Sequence, residues 1–538
     1  MNLHTNRPTR EEVAASEVGQ TSISIRLAIV CTCLFCITIS SVPIIQQSID
    51  LYGSRTVRGP FRLSEYARGW IQSPFMANTG LMQEMNRYES ELEERSFLKS
   101  IFLGPTQYLL TRWLQAGNEQ VYPGIYPWLY YRPDIDYAIQ PGFLNKRHKK
   151  KETPVSTILD FQQQLAQRGI TLILLPTPVK PTIHPEFFTS RYGVRSPPLH
   201  NASYTNLLTN LRQRGVHLFD PTPHLIERAS LSNQLQYLQT DTHLTFEAMT
   251  VTAQQLAFYI KEHMKPPPKT ISYKQTEQVV TNQRDIAVML KLPSSHAFYP
   301  QEIQTLQQVL TPNDELWKPE LSADILLLGD SFSNIYSLEG MGWGTSAGLA
   351  EQLSFYLQRP LDAIFRNDAG AYATRQILSQ SLARGRDRLD GKKIVIWQFA
   401  ARELFQGDWK KYSLKLGQSQ LSDFYSPTTT ISGSGTIAVI SRSPKPGTVP
   451  YKDNMITLHL VDLVIPAITS LQQALVYTWG MRKNRLTQAA YLRPGDRVEL
   501  SLSLWLEVEN KYGGYRRTPL DDVDVELEEP CWSEHINR

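Results

Sequence analysis

Ile325-Leu326-Leu327-Leu328-Gly329-Asp330-Ser331-Phe332-Ser333 joins an unbroken apolar run to a Gly-Asp-Ser turn. An unbroken run of large aliphatic residues marks a strand buried on both faces, as in a parallel sheet covered by helices. The Gly-Asp-Ser turn directly after it sets a serine hydroxyl at the C-terminal end of that strand. Open α/β sheets present ligands there, and neighbouring backbone N–H groups can face a developing oxyanion. The pattern repeats outward. Upstream, Ile170–Leu175 is a short apolar run ended by Pro176, Tyr204–Arg214 is helical, and Gly215 leads into the strand-like Val216–Phe219. Phe246–Met264 is helical and stops before Pro266–Pro268. Downstream, helix Gly348–Leu357, strand Leu361–Phe365, helix Tyr372–Leu382 and strand Ile394–Phe399 alternate in turn. This alternation predicts an α/β fold with a mainly parallel sheet and flanking helices over about residues 154–412.

A second motif, Asp241-Thr242-His243, stands just before a helix. An Asp-x-His pair can set an imidazole beside a nucleophile while the carboxylate holds its tautomer, the logic of a Ser-His-Asp triad. Each motif alone has a plain structural reading: Asp241 as the cap of the following helix, Ser331 as a turn residue. The strand context of Ser331 and the presence of all three side chains point instead to acyl chemistry, with Ser331, His243 and Asp241 as the catalytic candidates.

At these residues the sequence resembles the alginate O-acetyltransferase AlgJ/AlgX-like family, whose catalytic domain is SGNH-hydrolase-like. Gly124-Ile125-Tyr126-Pro127-Trp128-Leu129-Tyr130-Tyr131 is similar to the family's DGWLFY segment. Leu174–Lys180 with Pro185-Glu186 resembles its strand-loop, Tyr237–His243 its TDTHWT block, Gly329–Ser333 its GDSFS block, and Ile394–Asp408 its last sheet strand and loop. The Asp-His block precedes the Ser block, the order characteristic of this group. The resemblance implies acetyl transfer to hydroxyls of an exopolysaccharide outside the inner membrane, with a membrane-bound O-acyltransferase supplying the acetyl group and no cofactor or metal. Carried over, Ser331 is the nucleophile, His243 the general base and Asp241 its orienter. Leu244 replaces the Trp that follows the His in the family, and Gln398 stands after Trp397 where a Glu is expected. Asn367, Tyr336, Arg402 and Lys180 are further substrate-binding candidates: Asn367 as an oxyanion donor, Tyr336 and Arg402 as contacts to a polyanionic chain. Gly340, Gly342 and Gly344 could let backbone approach a substrate.

Outside this core the period changes. Val498, Leu500, Leu502, Leu504, Leu506 and Val508 alternate with polar residues after the turn Pro494–Gly495–Asp496, which predicts a half-buried antiparallel strand. Thr436–Ile440, Met455–Val464 and Val523–Leu527 read similarly, so residues 420–538 are expected to form a β-rich, sandwich-like module. Trp505, Tyr512 and Tyr515 would be either exposed sugar-stacking rings or packing against the catalytic domain. At the other end, Leu27–Ile45 carries no charge and is long enough as a helix to cross a hydrocarbon core of roughly 30 Å. It reads as a membrane anchor rather than a cleaved signal. Basic residues flank it on both sides, so the expected placement of the body on the periplasmic side leans on function.

The expected layout is a polar tail over 1–26, the anchor over 27–45, a helical but unassigned region over 46–122, the catalytic domain over 123–412 and the β-rich module over 420–538. A near-balance of 55 basic and 51 acidic residues, with no basic stripe carrying interleaved aromatics, argues against nucleic-acid binding. The run Lys146–Lys151 reads as a solvated linker. Cys31, Cys33 and Cys36 sit in the apolar run and Cys531 stands alone, so no disulfide framework is expected. Two further functions fit the same residues: a carbohydrate esterase using the same triad, with water in place of the sugar hydroxyl, and a non-catalytic glycan-binding scaffold of the cell envelope.

Overall fold

A computed structural model of the chain describes residues 24–52, 96–145, 152–193, 197–232, 234–266, 271–282, 286–293, 298–367, 370–417, 431–446, 449, 451–465, 473–520 and 529–537. The helical pattern read over Leu81–Leu98 (all but its last residues), the basic run Lys146–Lys151 and the strand read at Val523–Leu527 lie outside the described residues. The chain forms two units, Met1–Thr106 and Gln107–Arg538.

In the first unit, helix α1 (Ile25–Tyr52) contains the apolar stretch Ile25–Gln46, 22 residues of mean hydropathy 2.3. At about 1.5 Å per residue that length matches the thickness of a bilayer core. Three of its hydroxyls bond within the helix: Thr38 donates to the Leu34 carbonyl, Ser41 to Thr38 and Ser48 to Ile44. Helix α2 (Phe97–Leu114) begins in this unit and ends in the second.

The second unit is built on a five-stranded sheet. After the short antiparallel pair β1 (Val121–Pro123) and β2 (Leu129–Tyr131), strands β3 (Thr171–Thr177), β4 (His217–Leu218), β7 (Ile325–Gly329), β8 (Asp362–Phe365) and β9 (Ile394–Ala400) lie in the order β4-β3-β9-β7-β8, and every pair is parallel. Side chains alternate between the faces along each strand. Ile173, Leu175, Ile325, Leu327, Ile394 and Ile396 pack against helices Phe246–Met264 and Leu349–Leu357. Leu172, Leu174, Leu326, Leu328, Val395 and Trp397 pack against helices Pro154–Ala166, Tyr204–Gln213 and Ala373–Ala383. The uninterrupted apolar runs are therefore the signature of a sheet with helices on both faces, and the α/β reading of the core holds.

Several elements have no counterpart in the sequence reading, and one of them bears on the site. Strands β5 (Lys274–Asn282) and β6 (Glu302–Leu310) pair antiparallel as a separate two-stranded ribbon between the Asp-His and Ser blocks. Its sequence is polar on both faces, so period-two alternation is weak there.

The C-terminal part is β-rich. Strands β10 (Ile431–Ile440), β11 (Asn454–Val464), β12 (Gln473–Arg482), β14 (Arg497–Leu504) and β16 (Pro530–Trp532) pair β12-β16-β14-β10-β11, and β11 returns to β12. Short strands β13 (Arg485–Leu486), β15 (Arg517–Thr518) and β17 (Ile536–Asn537) add to β12, β11 and β14. The sheet thus closes into a ring around Ile437, Ile456, Leu458, Val476, Val498, Leu500 and Leu502. The strand expected to run to Val508 stops at Leu504, and Trp505–Tyr512 is helical. Packing overrides the alternation: Trp505 turns inward onto Tyr477 and Trp532 with ring centroids 5.0 and 5.9 Å away. Trp505 and Tyr512 are buried within the module itself, and Tyr515 packs partly buried against them. None of the three is an open stacking platform, and the module's own aromatic residues cover Trp505 and Tyr512.

Candidate active site

Strand β7 ends at Gly329, and a β-carbon there would lie 2.5 Å from the Ser333 hydroxyl and 3.2 Å from the Phe365 ring. Only glycine lets the chain turn this tightly from strand into the one-turn helix Ser331–Asn334. Asp330 caps that helix: one carboxylate oxygen accepts from the Phe332 N–H at 2.9 Å, the other from the Ala400 N–H at 2.8 Å on strand β9. Gln398, also on β9, accepts from the Asp330 N–H at 3.0 Å and the Ser333 hydroxyl at 2.7 Å, and donates to Thr177 Oγ1 on β3 at 2.9 Å. The glutamine that replaces an expected glutamate is thus fully used inside the protein, fastening the serine turn to two neighbouring strands. A neutral amide suits a buried position shared with the Asp330 carboxylate.

The Asp-His block is held from two sides. Tyr237 and Leu244 form a bridge, the Leu238 N–H donates to the His243 carbonyl, and Thr245 rather than Asp241 caps the following helix. Glu302 of β6 accepts from the Gln239 N–H, the Thr240 N–H and the Thr240 hydroxyl at 2.7, 2.9 and 2.8 Å. The unforeseen ribbon therefore shapes this loop.

The two blocks meet. His243 Nε2 lies 2.8 Å from Ser331 Oγ, and His243 Nδ1 lies 2.6 Å from Asp241 Oδ1. All three side chains are buried, and the Phe332 ring packs 4.9 Å from the imidazole. The second Asp241 oxygen accepts from Trp343 Nε1 at 3.0 Å, and the Thr242 hydroxyl lies 3.2 Å from His243 Nδ1. Burial alone would raise the Asp241 carboxyl. The His243 ring, the Trp343 indole and the Lys180 ammonium outweigh it and hold the carboxyl below its ordinary value. An ionised Asp241 fixes the proton on Nδ1 and leaves the Nε2 lone pair facing the serine hydroxyl, the arrangement a general base needs.

Residues 121–401 match the family described as the SGNH hydrolase-like domain of acetyltransferase AlgX. The chain belongs to this family. It is 25% identical over 272 residues to "Probable alginate O-acetylase AlgJ" of Pseudomonas aeruginosa, a match covering 46% of this chain and 65% of that protein. Among solved structures it is similar to the O-acetyltransferase domain of Pseudomonas putida AlgJ, with 18% identity over 57% of this chain and 95% of that one and a TM-score of 0.42. Pseudomonas aeruginosa AlgX is similar at 14% identity, over 71% of this chain and 89% of that one, with a TM-score of 0.39.

The other candidates of this AlgX-family chain surround the three central residues without all facing one space. Lys180 is fully buried; its ammonium donates to the Leu129 and Gln239 carbonyls at 2.8 and 3.3 Å and lies over the Trp128 and Tyr130 rings. It ties the Trp128–Tyr131 segment to the Asp-His loop. Tyr336 is also buried, its hydroxyl donating to the Leu244 carbonyl at 2.8 Å, so the phenol faces the core rather than a polyanionic chain. Arg402 pairs with buried Asp134 at 3.0 Å and lies 5.7 Å over the Phe332 ring. Burial would lower Arg402, but Asp134 and Glu403 hold it above its ordinary value, so it is a permanent cation beside the serine turn. Asn367 is buried next to the one-turn helix: its oxygen accepts from Asn334 Nδ2 at 3.2 Å and its amide nitrogen lies 3.3 Å from Met341 Sδ.

The glycines after Ser331 serve the protein rather than a substrate. A β-carbon at Gly340 would meet the Tyr515 ring at 2.7 Å, and one at Gly344, where φ is +93°, would meet Leu306 at 2.4 Å. They admit the C-terminal module and the β5–β6 ribbon, and with Gly342 at φ +72° they aim Trp343 at Asp241. Sequence reasoning missed Trp343. The Leu338–Gly344 glycine cluster marks an unusual backbone around it, but nothing in that stretch names Asp241 as its partner. Among the described residues no group of histidine, cysteine and acidic side chains is arranged to hold a metal ion.

Proposed function

We propose that this protein is an O-acetyltransferase that carries acetyl on Ser331 and passes it to hydroxyls of an exopolysaccharide. The Ser331 oxygen attacks the acetyl carbonyl of a donor while its proton moves to His243 Nε2. The intermediate collapses, the donor's leaving group departs with that proton, and acetyl-Ser331 remains. A sugar hydroxyl then gives its proton to His243 and attacks the acetyl-serine carbonyl; the serine oxygen leaves and recovers the proton. Asp241 holds the imidazole in the required tautomer throughout. Asn367 and Arg402 are the side chains we assign to the oxyanion and to the acceptor chain.

The observation that carries this reading is the unbroken line Asp241–His243–Ser331, at 2.6 and 2.8 Å, inside the segment that matches an acetyltransferase family. We further take residues 123–412 as the catalytic domain and 420–538 as its β-rich companion. The apolar stretch Ile25–Gln46 would anchor the chain in the inner membrane with the catalytic body on the periplasmic side, where a membrane-bound O-acyltransferase would supply acetyl. Alginate is the acceptor named for the relatives; this chain's acceptor is assigned only as an exopolysaccharide.

The test is intact-protein mass spectrometry after exposure to an activated acetyl ester. Wild type should gain one acetyl group at Ser331, and Ser331→Ala and His243→Ala should not. Adding oligosaccharide should discharge the acetyl group onto sugar faster than water removes it. An unlabelled wild-type serine would sink acetyl-enzyme chemistry, and discharge to water alone would convert the assignment into an esterase.

A further inference from the structure

Helix α2 is inverted relative to a helix of a water-soluble body. Gln107 and Thr111 are its buried face, 6% and 5% exposed. Gln107 Nε2 donates to Thr111 Oγ1 at 3.0 Å and reaches the Ala116 and Gly117 carbonyls at 3.4 and 3.3 Å, and the Thr111 hydroxyl donates to Ala116 at 3.1 Å. The polar residues are consumed in closing the helix's C-terminal turn. The apolar ones point away: Phe102, Leu109, Trp113 and Leu114 are 60%, 56%, 77% and 70% exposed. Leu109 and Trp113, four residues apart, form one stripe along the helix.

The stripe continues onto neighbouring residues. Phe298 packs edge-on against Tyr108 of the helix and against Tyr126, each at 5.9 Å between centroids, and Tyr126 and its neighbour Ile125 are themselves exposed. The only charges in the helix, Lys99 and Arg112, are both basic. An apolar stripe with aromatic residues and basic flanks matches the surface of an anionic bilayer, where tryptophan and tyrosine sit at headgroup level and cations meet lipid phosphates. Monomeric soluble proteins rarely leave such a stripe open to water.

We infer that the 107–114 part of α2 is an interfacial segment that lies in the plane of an anionic membrane, with Leu109, Trp113 and Tyr126 immersed at headgroup depth. This surface rests on the reading that Ile25–Gln46 brings the chain to a bilayer, and it is independent of the acetyl chemistry. It would hold the start of the catalytic domain against the lipid rather than on a free tether.

The full chain, reconstituted into phosphatidylethanolamine–phosphatidylglycerol vesicles, carries a photo-crosslinking phenylalanine analogue at Leu109 or at Trp113, with Ile303, an exposed apolar position on the ribbon, as control. Lipid adducts should form at positions 109 and 113 at roughly ten times the yield at 303. Two positions guard against one substitution disturbing the fold. Yields equal to the control, or capture by residues 53–95 of the chain itself or by another protein, would overturn the inference. Alkaline extraction reads the anchor separately. A chain that stays in the vesicles without lipid adducts loses the interfacial helix and keeps the anchor. A chain that is released yet carries the adducts keeps the interfacial helix and loses the anchor.

Discussion

Trp343 has no polar duty other than its 3.0 Å bond to Asp241, and it touches the carboxylate on the side away from His243. Hydrogen bonds to buried charges contribute about 1.5–3 kcal/mol, and the part expressed in the transition state appears in the rate. Trp343→Phe keeps most of the volume and removes the donor. We expect kcat with a small acetyl ester to fall roughly tenfold while KM holds, because the indole lies behind the carboxylate. Steady-state kinetics would check it, and a raised KM at constant kcat would place Trp343 on the substrate instead. At this scale the candidacy of Asp241, His243 and Ser331 was legible in two short motifs, and the three side chains lie in hydrogen-bond contact. Trp343 was not legible, because nothing in a local motif names the partner of a carboxylate's second oxygen.

Among the elements, the β5–β6 ribbon carries the most consequence for the site. Glu302 accepts three hydrogen bonds from the loop that leads into Asp241. Glu302→Ala would strand those donors, at about 1–3 kcal/mol for the buried ones, and loosen the Asp-His block. We expect a lower melting temperature together with a loss of activity larger than the stability loss explains at 25 °C; unchanged kinetics in a folded variant would show that the loop stands without the ribbon. Helix Leu349–Leu357 carries a second test. Its first-turn Glu351 is fully buried, and burial raises the carboxyl to about 7 against hydrogen bonds from Ser337 and Gly348. The folded chain therefore keeps this proton while the unfolded chain, near 4.5, has lost it. Stability falls as pH rises across that window, by about 3 kcal/mol in total, and the loss is complete above it. Glu351→Gln should match wild type near pH 4.5 and be the more stable protein at pH 8 by urea unfolding. Parallel curves at both values would remove Glu351 from the pH dependence.

Across the whole second unit, the C-terminal module is joined to the sheet domain close to the serine turn. Arg366, directly after strand β8, donates to the Tyr515 carbonyl at 3.3 Å and to the Arg517 carbonyl, while Gly514 sits against Asn334 and Tyr515 against Gly340. Arg386 pairs with Glu529 at the same junction. A buried guanidinium that satisfies two carbonyls couples the two parts, and removing it leaves those carbonyls without a donor. Arg366→Ala should split a single calorimetric transition into two, the module melting first, because cooperativity between parts depends on such shared contacts. A single transition moved to lower temperature would show that the remaining contacts suffice to keep them one cooperative body.

Local periodicity was enough for the parallel sheet, most of its flanking helices and the β-rich character of the C-terminal part, because strand and helix periods are properties of neighbouring residues. Ile325–Leu328 could only be a doubly buried strand, and Phe246–Met264 carries its own cap and stop. It misplaced the end of the strand after Arg497, since Trp505-Leu506-Glu507-Val508 continues the alternation and only Tyr477 and Trp532 turn Trp505 inward. Tertiary structure alone decided the rest. It brought His243 to Ser331 across 88 residues, set Trp343 on Asp241, turned Lys180 and Tyr336 into the interior and spent Gln398 on the serine turn. Buried polar groups must find partners wherever the packed chain supplies them, and those partners are chosen by the assembled fold rather than by distance along the sequence.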